Sequence, residues 1–213
     1  MRLYLSSFDL GNCPEELVAL ARGAKEAVVV VNALDNLPEA RMKWLNAQTE
    51  KLRDLGFTAR ELDLRDFFGK PSELEESLRG IDVVWINGGN AFILRRAMKQ
   101  SGFDKQIRAA LGRDEIVYAG FSAAAVIVGD SLAGLDIVDR ATAVPAGYDP
   151  EVVWEGLGLL PYVIAVHFRS DHAESSDVDR EIAFFQENRI PYRPLRDGEV
   201  LIIDGEEERL LGL

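Results

Sequence analysis

A serine, a histidine and a pair of glycines are the residues of this sequence best placed to do chemistry. Ser122 stands in Ile116-Val117-Tyr118-Ala119-Gly120-Phe121-Ser122-Ala123-Ala124-Ala125-Val126-Ile127-Val128-Gly129. The run reads as a buried strand, a sharp turn at the serine and a helix that starts at once, which is the geometry of a nucleophile elbow. A serine hydroxyl is a poor nucleophile near neutral pH and needs a base within hydrogen-bond reach. The chain offers two histidines, His167 and His172. His167 follows the apolar run Tyr162 to Val166 and so falls at the carboxyl end of a strand, whereas His172 lies in a polar loop. That ranks His167 first as the base. Acyl transfer also needs donors for the developing oxyanion. The backbone N–H of Ala123 is one, and Gly88-Gly89 is the natural source of another, because glycine lets the backbone approach a ligand closely. A third group should orient the imidazole. Asp130, Asp136 and Asp139 all lie between Ser122 and His167, and the pattern of elements does not choose among them.

Each residue also has a plainer reading. A serine between a strand and a helix is commonly an N-cap. A Gly-Gly-Asn turn after a strand can be only a turn, or a phosphate site. His167 and His172 with Asp171 could suggest a metal cluster, but third and fourth ligands at the usual spacing are missing. No metal and no organic cofactor is therefore expected. What raises the chemical reading is that serine, glycines and histidine all fall at strand ends of one expected sheet.

Alternating elements create that sheet. Strands are expected over residues 2–6, 27–32, 57–64, 82–86, the stretch leading to Ser122, and 162–166. The β-branched run Ala27-Val28-Val29-Val30-Val31 suits a parallel strand covered on both faces. Helices are expected from Pro14, along the stripe Leu37, Trp44, Leu45, Gln48, Leu52 and Leu55, and over residues 72–78, 90–100, 104–111 and 176–188. Closing strands are expected at 193–195, 199–203 and 209–212, joined by the turns Arg196-Asp197-Gly198 and Asp204-Gly205. Residues 130–160 read as a long excursion beside the site. The pattern is α/β: a doubly wound, mostly parallel sheet with helices on both faces, in one domain over residues 1–213. In such sheets ligands bind outside the carboxyl ends of the strands, where Ser6, Asn32, Gly88 and Ser122 lie.

The bulk properties narrow the function. The 213 residues carry a formal net charge of -12, which argues against nucleic acid or an anionic membrane as the main partner. The single cysteine, Cys13, precludes an intrachain disulfide and fits a reducing compartment. The first residues read as a strand, not as a leader, and no run approaches a spanning length. A cytoplasmic protein, monomer or homodimer, is expected.

Gly88-Gly89-Asn90, Gly120-Phe121-Ser122-Ala123-Ala124-Ala125 and Val166-His167-Phe168, in that order, resemble the aspartyl dipeptidase (peptidase E) and cyanophycinase family of serine peptidases, family S51. The resemblance runs from Leu3 to Gly212 and implies a class I glutamine amidotransferase-like fold. It implies Ser122 as nucleophile, His167 as general base, and Gly88, Gly89 and Ala123 as the oxyanion hole. Asp136 is nearest the spacing of the family's acidic member, with Asp139 open. Asn90 and Arg180 are implied in substrate binding, Arg180 for an aspartyl carboxylate, with Arg169 as a fallback. The family's glycine two places after the serine is Ala124 here. The implied activity is hydrolysis of small peptides, dipeptides with N-terminal Asp among them. A second reading is a binding or regulatory protein that kept the fold and lost catalysis. A glutaminase is a weaker third, since its elbow normally carries a cysteine.

Overall fold

The computed structural model describes residues 1–212. Apolar runs form the strands β1 (Arg2–Ser6), β2 (Glu26–Val30), β3 (Thr58–Glu61), β4 (Val83–Ile86) and β5 (Val117–Phe121). These five pair parallel to one another. Two later strands, β8 (Val200–Asp204) and β9 (Glu207–Leu211), continue the sheet antiparallel beside β1. The order across the main sheet is β3-β2-β4-β5-β1-β8-β9.

Side chains alternate across the pleat, so each strand feeds two cores. One face gathers Leu3, Leu5, Val28, Val30, Val84, Ile86 and Tyr118. It is covered by α3 (Pro71–Leu78), α4 (Ala91–Ser101), α5 (Phe103–Gly112) and the short α6 (Ala123–Val126). The other face gathers Tyr4, Ala27, Val29, Trp85, Val117 and Ala119 against α1 (Pro14–Leu20) and α2 (Pro38–Asp54). The fold is thus the expected doubly wound α/β sheet with helices on both faces.

Three local differences from the expected elements have physical causes. β3 stops at Glu61, because Asn32 and Asp63 take over the hydrogen bonding: Leu64 N donates to Asn32 Oδ1, and Arg65 N to Asp63 Oδ1. The helix after Ser122 is a single turn, because the carbonyls that would continue it are taken by the returning excursion. Ile127 O accepts from Leu157 N, Val128 O from Leu159 N and Gly129 O from Gly158 N. Finally, the strand near Arg193 does not form a hairpin with β8. It is β7 (Tyr192–Pro194), parallel to β6 (Val163–Ala165) in a separate small sheet. The helix α7 (Ser175–Glu187) lies between them, and a strand–helix–strand crossover produces parallel neighbours.

The excursion after α6 is held by two buried arginines of α4. The Arg96 guanidinium donates to the carbonyls of Ala141 (2.9 Å) and Glu151 (3.0 Å), and Arg95 donates to that of Glu155 (2.9 Å). Among the described residues, no helix is long and apolar enough to cross a membrane.

Candidate active site

The register brings three strand ends into one row. Ile86 of β4 and Leu5 of β1 both pair with Gly120 of β5. Asn87-Gly88, Phe121-Ser122 and Ser6-Ser7 therefore leave the sheet side by side. Antiparallel β8 begins at the same edge, with Val200 opposite Ser6. In the small sheet Ala165 pairs with Pro194, so the segments after β6 and β7 also emerge together. His167 and Asp197 lie on those two segments.

Ser122 has φ 50° and ψ -110°. A non-glycine residue in such a region costs of order 1–3 kcal/mol and persists only where its surroundings impose it. Here the Ser122 N–H donates to Ser6 O at 3.2 Å, and its carbonyl accepts from Ala125 N at 2.8 Å. The buried Tyr118 hydroxyl donates to Ala124 O at 2.8 Å and braces the turn from beneath. The Ala124 methyl packs against Gly120: a Cβ placed on Gly120 would stand 2.6 Å from Ala124 Cβ and would run into the Ile86 carbonyl. The departure from the family glycine is thus absorbed in the strand–helix packing, where Ala124 is fully buried.

His167 Nε2 lies 3.3 Å from Ser122 Oγ, and its Nδ1 lies 2.7 Å from Asp197 Oδ1. With Nδ1–H donated to the carboxylate, the Nε2 lone pair is left for the serine proton. His167 also has a positive φ, 57°, and is buried. Its backbone N–H donates to Ser7 Oγ at 2.8 Å, and that hydroxyl reaches Asp197 Oδ1 at 2.8 Å. Asp197 N donates to Ser170 Oγ at 2.8 Å. Two serines thus fix the carboxylate and the imidazole relative to each other. Burial lowers the imidazole below its ordinary value, against the pull of Asp197, and the stacked His172 lowers it further. The two histidine rings stand 3.7 Å apart at 7°.

Gly88, Gly89, Ser122 and His167 line one cavity of about 160 Å³, together with Phe8, Leu34, Trp44, Phe121 and Glu174. A Cβ at Gly88 would stand 2.9 Å from Ser122 Cβ, so glycine is required for the loop to lie against the serine. Asn87 Nδ2 donates to Gly88 O at 2.8 Å. In a trans peptide the Gly89 N–H lies in the same plane and points the opposite way from that carbonyl. Ala123 opens α6, where the first N–H groups of a helix have no intrahelical acceptor. His167, His172 and Glu174 can bring one ligand atom each within 4.8 Å of one another. The donor set differs from the one sequence suggested, with Glu174 in place of Asp171, and His172 Nδ1 already accepts Glu174 N–H at 3.3 Å.

Three sequence assignments are corrected. Asp136 is exposed on a 3₁₀ turn, Leu135–Ile137; the carboxylate on His167 is that of Asp197. Of the alternatives, Asp130 is exposed, and Asp139 accepts from Ala91 N at 2.7 Å, capping α4. Asn90 caps the same helix: its Oδ1 accepts from Ile93 N at 2.9 Å, and its Nδ2 donates to Arg140 O at 3.1 Å. Both ends of its amide are thus engaged within the fold. Arg180 lies on the solvent face of α7, paired with Asp177 at 2.6 Å. The fallback, Arg169, packs its guanidinium over the Phe168 ring.

Comparison with known proteins places the chain in a family. An uncharacterized peptidase of Listeria monocytogenes, Lmo0363, is 25% identical over 166 residues, covering 77% of this chain and 76% of its own. A "Probable alpha-aspartyl dipeptidase" of Drosophila melanogaster is 27% identical over 65% of this chain and 56% of its own. A "Peptidase E" of Streptomyces coelicolor is 29% identical over 62% of this chain and 52% of its own. In structure, a Listeria monocytogenes EGD-e protein assigned provisionally as a peptidase E matches with a TM-score of 0.82 at 21% identity, over 100% of this chain and 98% of its own. A peptidase from an acI-B1 Actinobacterium matches at 0.69 and 15%, over 99% of this chain and 87% of its own; at these identities the two structures speak to the fold. The profile of peptidase family S51 matches residues 17–211, a span that contains the elbow, His167 and Asp197, and the chain accordingly belongs to peptidase family S51 and is a serine peptidase.

Proposed function

We propose that the chain hydrolyses small peptides through an acyl-enzyme formed on Ser122, with His167 as general base and Asp197 as the group that orients it. The observation that carries this reading is the continuous relay from Asp197 Oδ1 to His167 Nδ1 at 2.7 Å and from His167 Nε2 to Ser122 Oγ at 3.3 Å. Ser122 Oγ attacks the scissile carbonyl carbon while His167 Nε2 takes its proton. The tetrahedral oxyanion is received by the N–H of Ala123 and an N–H of the Gly88-Gly89 loop. As the C–N bond breaks, His167 returns the proton to the leaving amine. Water then attacks the ester while His167 takes its proton, and His167 returns that proton to Ser122 Oγ as the C–O bond breaks, so that the carboxylic acid leaves and Ser122 is regenerated. Asp197 holds the imidazole by Nδ1 and stabilises the imidazolium throughout. The lowered basicity of His167 keeps the imidazole neutral, and so competent as a base, near neutral pH.

A fluorophosphonate probe tests this reading directly. The wild-type protein is expected to take one label on Ser122 and to turn over members of a small-peptide panel. The variant Ser122→Ala is expected to do neither while retaining its unfolding transition. Wild-type protein that neither labels nor hydrolyses any small peptide would overturn the reading.

A further inference from the structure

The cavity beside Ser122 has the wrong charge for an aspartyl side chain. Glu174 supplies its carboxylate, and among the described residues that line it there is neither lysine nor arginine. Arg180 is held on the outer face of α7 by Asp177, and Arg169 lies over Phe168. A substrate carboxylate entering here would lose water and meet a like charge, and both effects disfavour it.

His172 and Asn87 also line the cavity, and one stretch of its wall is apolar. Phe8, Trp44 and Phe121 pack together with ring centroids 5.6–6.2 Å apart, and Leu34 completes the surface. One exposed aromatic means little by itself. Phe8, however, is 38% exposed in the wall of the same cavity that holds the nucleophile.

Glu174 stands within reach of the amino terminus of a peptide whose first carbonyl meets Ser122. Its Oε2 lies 4.0 Å from His167 Nε2, the nitrogen that faces Ser122. The α-nitrogen of a peptide's first residue is two bonds, about 2.5 Å, from the carbonyl carbon under attack. An ammonium paired with Glu174 therefore sets the first carbonyl beside Ser122. The backbone of Glu174 is fixed by its N–H bond to His172 Nδ1, on the ring stacked against His167.

We propose that the site takes peptides with a free α-ammonium and an apolar first side chain, Glu174 receiving the ammonium and Phe8, Trp44, Phe121 and Leu34 the side chain. This rests on Ser122 being the nucleophile, since that fixes where the scissile carbonyl lies. It makes the enzyme one that removes an apolar amino-terminal residue from a small peptide, and not an aspartyl dipeptidase.

Binding of intact dipeptides to the Ser122→Ala protein tests this without catalysis. By calorimetry Phe-Ala is expected to bind at least about tenfold tighter than Asp-Ala, and about tenfold tighter than N-acetyl-Phe-Ala, as loss of one charge-assisted hydrogen bond predicts. Adding Glu174→Gln should weaken Phe-Ala and leave N-acetyl-Phe-Ala unchanged. Asp-Ala binding as tightly as Phe-Ala, acetylation without effect, or no binding by any of the three would overturn the proposal. Fluorophosphonate labelling of the wild-type protein is read in parallel. A labelled Ser122 with Asp-Ala preferred sinks the specificity alone, whereas an unlabelled and inactive wild-type protein sinks the nucleophile on which it rests.

Discussion

Asp197 meets the imidazole of His167 at 2.7 Å across thirty positions of chain, from a turn on the far side of α7. Parallel pairing of β6 and β7 makes the encounter: Ala165 lies opposite Pro194, and the two side chains follow those partners closely. If Asp197 orients the base, Asp197→Asn should lower kcat about 10³–10⁴-fold, the effect of losing the correct tautomer. Asp136→Asn, on the exposed turn, should change kcat by less than about twofold, as surface substitutions do. Steady-state hydrolysis by the two variants checks the pair. Equal losses, or a larger loss at Asp136, would remove Asp197 from the relay.

Much of this site is legible in the amino-acid sequence. Ser122 and Gly88-Gly89 follow apolar runs of the doubly wound sheet, which brings such ends to one edge whatever the order of its strands. His167 also ends an apolar run, but its strand β6 lies in the separate small sheet and not in the one sheet the pattern suggests. Asp197 is not legible in that way, because Arg196-Asp197-Gly198 is indistinguishable from an ordinary turn between two closing strands. The usable signal is α7: a helix between two short strands implies parallel pairing, and parallel pairing puts their carboxyl ends together. Asn90 and Arg180 mislead for a different reason. Their types suit substrate binding, but one supplies the N-cap of α4 and the other faces solvent on α7. The cap is signalled by Asn90 opening the expected helix 90–100, whereas the substrate roles are implied by the family resemblance alone. The aromatic wall is only half visible, since Trp44 falls on an ordinary helical stripe and Phe8 carries no pattern at all.

The methyl of Ala124 and the bare Cα of Gly120 are complementary, and that predicts an asymmetry. Ala124→Gly removes a buried methyl and loosens a helix start, so it should cost about 0.5–1 kcal/mol of stability while leaving Ser122 labelling intact. Gly120→Ala should cost roughly 3 kcal/mol or more, because its Cβ meets the Ile86 backbone as well as Ala124 Cβ. Denaturant unfolding of both proteins measures the difference. A severe loss of labelling in Ala124→Gly would show that the methyl shapes the nucleophile itself.

Arg96 gathers the carbonyls of Ala141, Pro150 and Glu151 onto α4. These acceptors belong to the excursion, whose apolar residues Tyr148 and Leu157 join the core. Arg96→Met keeps most of the side-chain volume but strands the carbonyls. It should cost roughly 2–4 kcal/mol, with the damage local to residues 139–155. Hydrogen exchange should show faster amide exchange there and little change in β1 or β5. Uniform acceleration across the sheet would mean that Arg96 supports the whole core and not the excursion.

Two buried acids behind the site predict a loss of stability on the alkaline side. Burial first, and then the charges of Asp139 and Glu174, push the Glu181 carboxyl up to about 8. Burial, with Glu174, pushes Asp139 to about 7 against the Ala91 N–H bond that favours its ionised form. Both values lie above those of the unfolded chain, so the folded state holds more protons in the intervening range. Stability from these groups is fully present below about pH 4 and is lost as pH rises through about 7 and 8. Glu181→Gln removes one ionisation and relieves the other. Its melting temperature should therefore exceed that of the wild type by roughly 2–4 °C at pH 9, and the gap should close at pH 5, where Glu181 is protonated in the folded wild-type protein. A gap independent of pH would mean that the carboxylate stays ionised in the fold and that its neighbours, not its burial, govern it.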